Sequence, residues 1–272
     1  MSSGPAVDGR ARLGVLGWPV AHSLSPTIQN AALRAVGLDH WRYQHLPLPP
    51  ALMADTVPAL AGAGLRGVNV TIPHKRVALA LADAPSPRAL AIGAANTLCF
   101  ERDGTITADN TDAPALISTL PFAVAGRTAL VLGAGGSARA AVWALLDAGA
   151  ARVSVLNRTA ERARELCAEL GGTAVRGPVA ADVLVNCTPV GLEGASERHP
   201  QMPLARETLH DYRLVVDFVY RPGATRLVTE ARAMGIGAVD GLELLVAQGA
   251  LAFEQFTGRP APVQAMRAAV GL

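Results

Sequence analysis

The chain alternates short apolar runs with stretches whose apolar residues recur every three or four positions, the pattern of buried strands interleaved with amphipathic helices. Leu13–Leu16 is an apolar run stopped by Gly17-Trp18-Pro19, which predicts a strand feeding a loop. Ser25-Pro26 predicts a helix N-cap with proline at the first helical position, and Ile28, Ala31, Ala32, Ala35 and Val36 carry the helical period to Gly37. Strands are then expected over 43–46 and 67–71, helices over 51–61 and 75–81, and a strand pair at 94–100 and 105–108. Strands separated by helices predict a mostly parallel sheet.

Beyond Thr111 the pattern predicts a helix to about Leu120 and a boundary loop at 121–127, followed by a second and more regular series. Its strands are expected at 128–132, 152–156, 183–186 and 214–219, and its helices at 137–148 and 161–170. A strand at 236–239, a long apolar helix over 242–256 and a short terminal helix complete the expectation.

Composition narrows the classes of function. A chain of 272 residues, 50% hydrophobic and 17% charged, has enough apolar material for one large core or two smaller ones. Its formal charge of +2 is too small for the electrostatic footprint of a nucleic-acid binder or a polybasic membrane surface, leaving a small molecule as the expected partner. Cys99, Cys167 and Cys187 lack metal-ligand spacing, and their odd number fits reduced thiols better than a disulfide framework. No metal site is expected. No run reaches the roughly 18 apolar residues of a membrane span, and residues 1–10 read as a polar lead without a signal-peptide core, so the cytoplasm is the expected location.

Gly133-Ala134-Gly135-Gly136-Ser137-Ala138 directly follows a predicted strand and opens a predicted helix, matching G-x-G-x-x-G/A with Ala138 in the third position. Small residues are required there because a Cβ blocks backbone approach to a pyrophosphate, while free N–H groups and the helix dipole attract the anion. A glycine turn between packed elements is the plainer alternative, but strand, fingerprint, helix and next strand all fall in order. At the end of that next strand stand Asn157-Arg158-Thr159, with Arg162 a turn later, where an NAD-binding chain carries a carboxylate for the ribose. A guanidinium grips a 2′-phosphate with paired charge-assisted hydrogen bonds, so NADP is the expected cofactor. Solvated arginines at a helix start are the competing explanation.

The amino-terminal half places amides and hydroxyls at predicted strand ends: His22-Ser23-Leu24-Ser25-Pro26, Asn69 through Lys75, Ala95-Asn96-Thr97, and Asn110-Thr111-Asp112. In open α/β sheets, ligands bind beyond the carboxyl ends of the strands. Hydride arriving at a ketone leaves alkoxide character on oxygen, which a lysine beside an aspartate can meet with a proton or positive field. Lys75 and Asp112 could serve as such a pair, the residues leaving open which of them transfers the proton, and a solvated helix-start residue is the plainer alternative for Lys75. His22 and His74 stand beside these candidates, but loop histidines are more often hydrogen-bonded structural groups.

At these positions the chain resembles the shikimate dehydrogenase family. The resemblance is carried by Gly17 with H-S-x-S-P, N-V-T-x-P-H-K, A-N-T, N-T-D, G-A-G-G-S-A-R-A, N-R-T at Asn157, Asn186 to Gly191, Asp217 to Pro222, and Gly241 to Gln255, spanning residues 14 to 258. It implies NADPH-dependent, reversible reduction of 3-dehydroshikimate to shikimate, a step of aromatic amino-acid and chorismate biosynthesis. It further implies that Ser23 and Ser25 hold the substrate carboxylate, that Tyr220 faces it from the cofactor side, that Asn69, Thr71, Asn96 and Gln248 contact ring hydroxyls, and that Lys75 and Asp112 are the catalytic pair. The dinucleotide would lie along Gly133, Ala134, Gly135, Gly136 and Ser137. Asn157, Arg158, Thr159 and Arg162 would meet the adenosine phosphate, with Thr188, Val219 and Gly241 near the remainder.

The implied architecture is α/β: an amino-terminal substrate domain, residues 1–111 completed by C-terminal helices at 241–272, plus a Rossmann-type doubly wound NADP-binding domain at 112–240. The active site is expected in the interdomain cleft of a monomer or homodimer. Two positions depart from the family pattern: Asp112 is followed by Ala113-Pro114-Ala115 rather than leading towards glycine, and Leu244 stands where methionine is common. Neither removes a proton-transfer residue. A quinate- or aminoshikimate-type dehydrogenase on the same scaffold, and a dinucleotide-sensing relative without turnover, are the alternatives.

Overall fold

The computed structural model describes residues 11–192, 202 and 204–272; the polar lead at 1–10 lies outside them. Internal contacts divide the chain into two units, one running to Thr111 and resuming at Val246–Leu272, the other Asp112–Leu245.

The first unit contains β1 (Arg12–Gly17), α1 (Ser25–Ala35), β2 (Arg42–Pro47), a 3-10 turn at Pro50–Leu52 that runs into α2 (Met53–Gly62), β3 (Leu65–Val70), α3 (Lys75–Ala80), β4 (Ala84–Pro85), α4 (Pro87–Ile92), β5 (Thr97–Phe100) and β6 (Ile106–Asp109). They form one sheet in the order β2-β1-β3-β5-β6-β4. β1 is parallel to both its neighbours and β4 to β6, whereas β5 is antiparallel to both β3 and β6, so five of the six strands run the same way and the sheet is mostly parallel with β5 reversed. The reason is local. Only five residues join β5 to β6, enough for a hairpin, whereas a parallel crossover needs a dozen or more.

The second unit contains α5 (Asp112–Thr119), β7 (Thr128–Leu132), α6 (Gly136–Asp147), β8 (Arg152–Leu156), α7 (Ala160–Leu170), β9 (Thr173–Val175), β10 (Val183–Asn186), a 3-10 segment at Arg206–Asp211, β11 (Leu214–Asp217), α8 (Arg226–Ala233) and β12 (Gly237–Val239). Its six strands are all parallel in the order β12-β11-β10-β7-β8-β9, and the winding direction reverses between β7 and β10. Near-continuous Val/Leu strands suit this arrangement because helices cover both faces of such a sheet. The chain then enters α9 (Gly241–Thr257), which crosses from this unit back into the first, and ends with α10 (Val263–Ala268). In the first unit Phe256 of α9 packs over β3 at Gly67, where a methyl group would collide with the ring.

Several elements differ from the sequence expectation, each for a local reason. Ser25 is the first residue of α1 and not its cap; its hydroxyl accepts a hydrogen bond from Ser23 Oγ instead, and the helix entry is closed by Thr27 and Ile28 N–H on the Leu24 carbonyl. The helix expected at 51–61 begins as a 3-10 turn. The strand expected from 94 starts only at Thr97. β11 stops at Asp217 rather than 219 because the Asp217 carboxylate takes the Val219 N–H and turns the chain.

Helices α4 and α8 were not expected, although each carries its own start signal. Ser86 accepts from Ala89 N ahead of Pro87, and Thr225 accepts from Val228 N. α4, at six residues, is too short for a strong apolar period, whereas α8 carries one in Leu227, Val228 and Ala231, buried at helical spacing. β4 and β9, of two and three residues, are edge strands below the length at which alternation can be read.

Candidate active site

In the first unit the polar residues at the strand ends satisfy one another. Tyr43 Oη donates to Asn69 Oδ1 at 2.8 Å, and Asn69 Nδ2 donates to the Asn96 carbonyl at 3.2 Å and Thr97 Oγ1 at 3.1 Å. Asn96 Nδ2 reaches Thr111 Oγ1 at 3.0 Å, and Asn96 Oδ1 accepts from Thr111 N at 2.8 Å. Asn69, Asn96, Thr97 and Thr111 are all buried, so each unmade bond would carry the desolvation cost of a polar group. The network thereby locks the two amides in one orientation.

Two chain segments are fixed to this network. The carbonyl of Lys75, at the start of α3, accepts from Ala95 N at 2.9 Å, which anchors Lys75 beside Asn96. Asp112 is the residue after Thr111; it opens α5 and is 6% exposed. Lys75 itself is half-buried. Thr71, half-buried at the end of β3, donates its N–H to the Leu16 carbonyl and accepts from His74 N.

Ser23 and Ser25 are brought together at 3.1 Å between hydroxyls, both buried, at the amino end of the eleven-residue α1. No acidic residue stands in that first turn, so the helix dipole is unopposed there. On the same face of α1, one turn further along, the buried Gln29 donates Nε2 to the Gly249 carbonyl at 2.9 Å. This bond ties α1 to α9 immediately beside the half-buried Gln248.

His74 behaves as a brace. His74 is buried with Nε2 against the Leu48 carbonyl at 2.8 Å, and burial holds its pKa below the ordinary value despite that hydrogen bond. His22 is likewise lowered, by burial and by the nearby His45.

In the second unit Gly133 follows β7 with φ +107°, a conformation that favours glycine, and a Cβ there would lie 3.2 Å from the Cys187 carbonyl and 3.4 Å from Thr188 Cγ2. Gly133 is thus doubly required by the protein itself. Gly135, the N-cap of α6, is different: a Cβ on it meets nothing within 4 Å. Its missing side chain leaves open space over the helix N-terminus, bounded on the chain by Ala134, Gly136 and Ser137. That space lies where β7 and β10 part company, the crevice in which doubly wound sheets take dinucleotides.

Beyond β8, Asn157 Nδ2 donates to the Thr159 carbonyl at 2.9 Å, and Arg158, Thr159 and Arg162 are exposed. Arg158 and Arg162 make no ion pair among the described residues, and no carboxylate occupies the strand end at 157. The arrangement fits a dinucleotide with a phosphate on its adenosine ribose.

At the end of β11 the fully buried Asp217 accepts from Asn186 Nδ2 (2.8 Å), Val219 N (3.0 Å) and Thr225 Oγ1 (2.6 Å). Burial raises its pKa to about 6 against the pull of these three bonds, with Asp240 adding repulsion. Gly241 packs on the carbonyls of Val219 and Asp217 so closely that any side chain would collide with them. Tyr220 follows, half-buried.

Among Tyr43, Thr111, Asn186 and Asp217, the sequence pattern marks Thr111, beside Asn110, as a hydrogen-bonding group at a strand end, but not Tyr43, Asn186 or Asp217 as members of polar networks. A tyrosine in a strand and an aspartate at a strand end give no local sign of their distant partners.

Six parallel strands in this order, with a glycine turn at the reversal and an open helix N-terminus above it, define a Rossmann-type dinucleotide-binding α/β protein. Family models for the shikimate dehydrogenase substrate binding domain, shikimate / quinate 5-dehydrogenase, and the shikimate 5′-dehydrogenase C-terminal domain match residues 15–98, 117–186 and 241–270. The chain belongs to the shikimate dehydrogenase family. It is 42% identical to the shikimate dehydrogenase (NADP(+)) of Symbiobacterium thermophilum, covering 94% of this chain and 92% of that one. With the protein of the same name from Methylobacterium radiotolerans it shares 43% identity over 91% of each. Among solved structures, the Thermus thermophilus shikimate 5-dehydrogenase in complex with NADP(H) and shikimate superposes with a TM-score of 0.84 at 40% identity, over 96% of this chain and 98% of that one. The Aquifex aeolicus shikimate dehydrogenase gives 0.86 at 34% identity, over 96% and 97%.

Proposed function

We infer that this chain is an NADP-dependent shikimate dehydrogenase, interconverting 3-dehydroshikimate and shikimate in the route to chorismate and the aromatic amino acids. The observation that carries the reading is the hydrogen-bonded frame around Asn96, to which the Lys75 backbone and the residue preceding Asp112 are both fixed. Bound NADPH supplies the hydride that reduces the ring ketone.

The chain's own residues do the rest. Ser23 and Ser25, at the α1 dipole, hold the substrate carboxylate, and Tyr220 reaches the same group. Asn69, Thr71, Asn96 and Gln248 receive the ring hydroxyls and fix which carbon faces the cofactor. As negative charge develops on the ketone oxygen, Lys75 and Asp112 deliver the proton that completes the alcohol, and in reverse they remove it. Residues 133–137 take the pyrophosphate on backbone N–H groups, while Asn157, Arg158, Thr159 and Arg162 engage the 2′-phosphate. Thr188, Val219 and Gly241 border the remainder of the dinucleotide. In this reading the part before 112, completed by 241–272, serves the substrate, and 112–240 serves NADP. The partners are small molecules only, the working form is a monomer or homodimer, and three free thiols suit a cytoplasmic location.

The test is absorbance at 340 nm with NADP or NAD against shikimate or quinate. The highest kcat/KM is expected for shikimate with NADP. Equal or better use of quinate contradicts the substrate assignment, because one additional hydroxyl then finds a partner in the site. Cofactor binding without oxidation of either acid contradicts the enzymatic reading altogether.

A further inference from the structure

Asp217 lies at the end of β11 and not in the fingerprint turn, yet its bonds lead there. Its carboxylate accepts from Asn186 Nδ2, so the Asn186 amide cannot flip, and Asn186 Oδ1 is presented to the chain beyond β10. There it accepts twice from one residue, Thr188 Oγ1 at 2.7 Å and Thr188 N at 3.1 Å. The Thr188 methyl group in turn stands over Gly133, 3.4 Å from where a Cβ would be. The same oxygen, Asp217 Oδ1, also takes the Val219 N–H and caps that turn, while Oδ2 accepts from Thr225 Oγ1 at the N-cap of α8. A buried charge is thus placed where a neutral packed residue would be less costly, and every lone-pair direction it uses orders a segment bordering the switch point.

We propose that Asp217 is a positioning residue for the cofactor, acting through the relay Asp217–Asn186–Thr188 to hold the loop after β10 against the glycine turn. The proposal rests on the reading of the chain as an NADP-dependent enzyme. The relay needs acceptors only at Asp217. A proton or an amide NH2 at Asp217 faces Thr225 alone, whose hydroxyl must then give up its donation, and it turns Oδ1 from a charged acceptor of the Asn186 and Val219 N–H groups into a neutral, weaker one. Weakening that bond loosens the Asn186 amide and, with it, both bonds to Thr188.

Titration of Asp217, near pH 6, therefore connects the relay to pH. The charged group acting on it is Asp240. Strands β10 and β12 carry no titratable side chain, and on α8 the exposed Arg226 pairs with Glu230, with Arg232 exposed beyond them. Glu243 lies in the first turn of α9.

The experiment measures NADPH Kd by fluorescence and shikimate KM by turnover for the wild-type chain, Asp217→Asn, Thr188→Val and the double variant. Each single substitution is expected to raise the NADPH Kd about fivefold, with shikimate KM within twofold of wild type. In the Asp217→Asn background, Thr188→Val is expected to add less than twofold, because the two residues act as one unit. Should Asp217→Asn fail to fold, Thr188→Val alone carries the test. The ratio of its NADPH Kd to that of wild type, in which titration of the cofactor's 2′-phosphate cancels, should fall towards one as pH drops below about 6. Additive effects, a pH-independent ratio, or parallel loss of shikimate and NADPH affinity overturn the relay. A wild-type chain that does not bind NADPH overturns both the relay and the functional reading.

Discussion

The two units build their candidate sites from different material. In the second, the site is mostly backbone: a glycine held at φ +107°, a bare N-cap and the N-terminus of α6. In the first, it is side chains, with Tyr43, Asn69, Asn96, Thr97 and Thr111 saturating one another's hydrogen bonds. A phosphate asks for N–H groups and space, which six consecutive residues can offer. A polyol asks for directed donors and acceptors, which must be assembled from strand ends far apart in the chain. The comparison predicts that substitutions in the second unit can abolish ligand binding without loss of stability, while those in the first couple the two.

The largest effect is expected from Lys75→Ala, which removes one half of the proton-handling pair. Steady-state kinetics should show kcat down by about 10²–10⁴-fold with shikimate KM changed only a few-fold. Retention of kcat within a few-fold would dismiss the assignment. Gly135→Val comes next. Its Cβ meets no protein atom, so Tm should hold while NADPH Kd rises about a hundredfold, a cost of roughly 2.7 kcal/mol. Gly133→Val, by contrast, should lower Tm as well, because of its positive φ and the Cys187 carbonyl.

Asn96→Ala tests the other half of the comparison. It strips Thr111 N–H of its acceptor in a buried setting, so unfolding should become easier by about 1–3 kcal/mol, and shikimate KM should rise with it. A normal Tm with raised KM would show that the frame is not holding itself together as described. The smallest effect is expected from Arg158→Ala: an exposed residue whose loss leaves Tm unchanged and lowers the preference for NADP over NAD by about tenfold. Unchanged discrimination would move the 2′-phosphate contact to Arg162.

How legible each region was in the sequence follows from the same contrast. The parallel sheet of the second unit announces itself through long buried Val/Leu strands, and the residues of its glycine turn are contiguous. Of the first unit's network, Asn69 and Asn96 stand out as amides at strand ends, whereas Tyr43, 26 residues from its partner Asn69, reads as an ordinary strand aromatic. The antiparallel pairing of β5 with β6 is legible in their five-residue connection, whereas the placement of β5 against β3 is tertiary in origin, and nothing in its four residues marks it. Ser25 shows the converse error: a residue with strong capping propensity took a neighbouring serine as its partner and left the cap to the backbone.

The central claim is direct hydride delivery to a ring carbon, with the proton on oxygen coming from the protein. Incubating the enzyme with 3-dehydroshikimate and NADPH deuterated on one or the other face of nicotinamide C4, and reading the product by NMR, tests it most directly. The account predicts one deuterium on the carbon bearing the new hydroxyl from one of the two cofactors and none from the other. Product formed with protium at that carbon from both would contradict it.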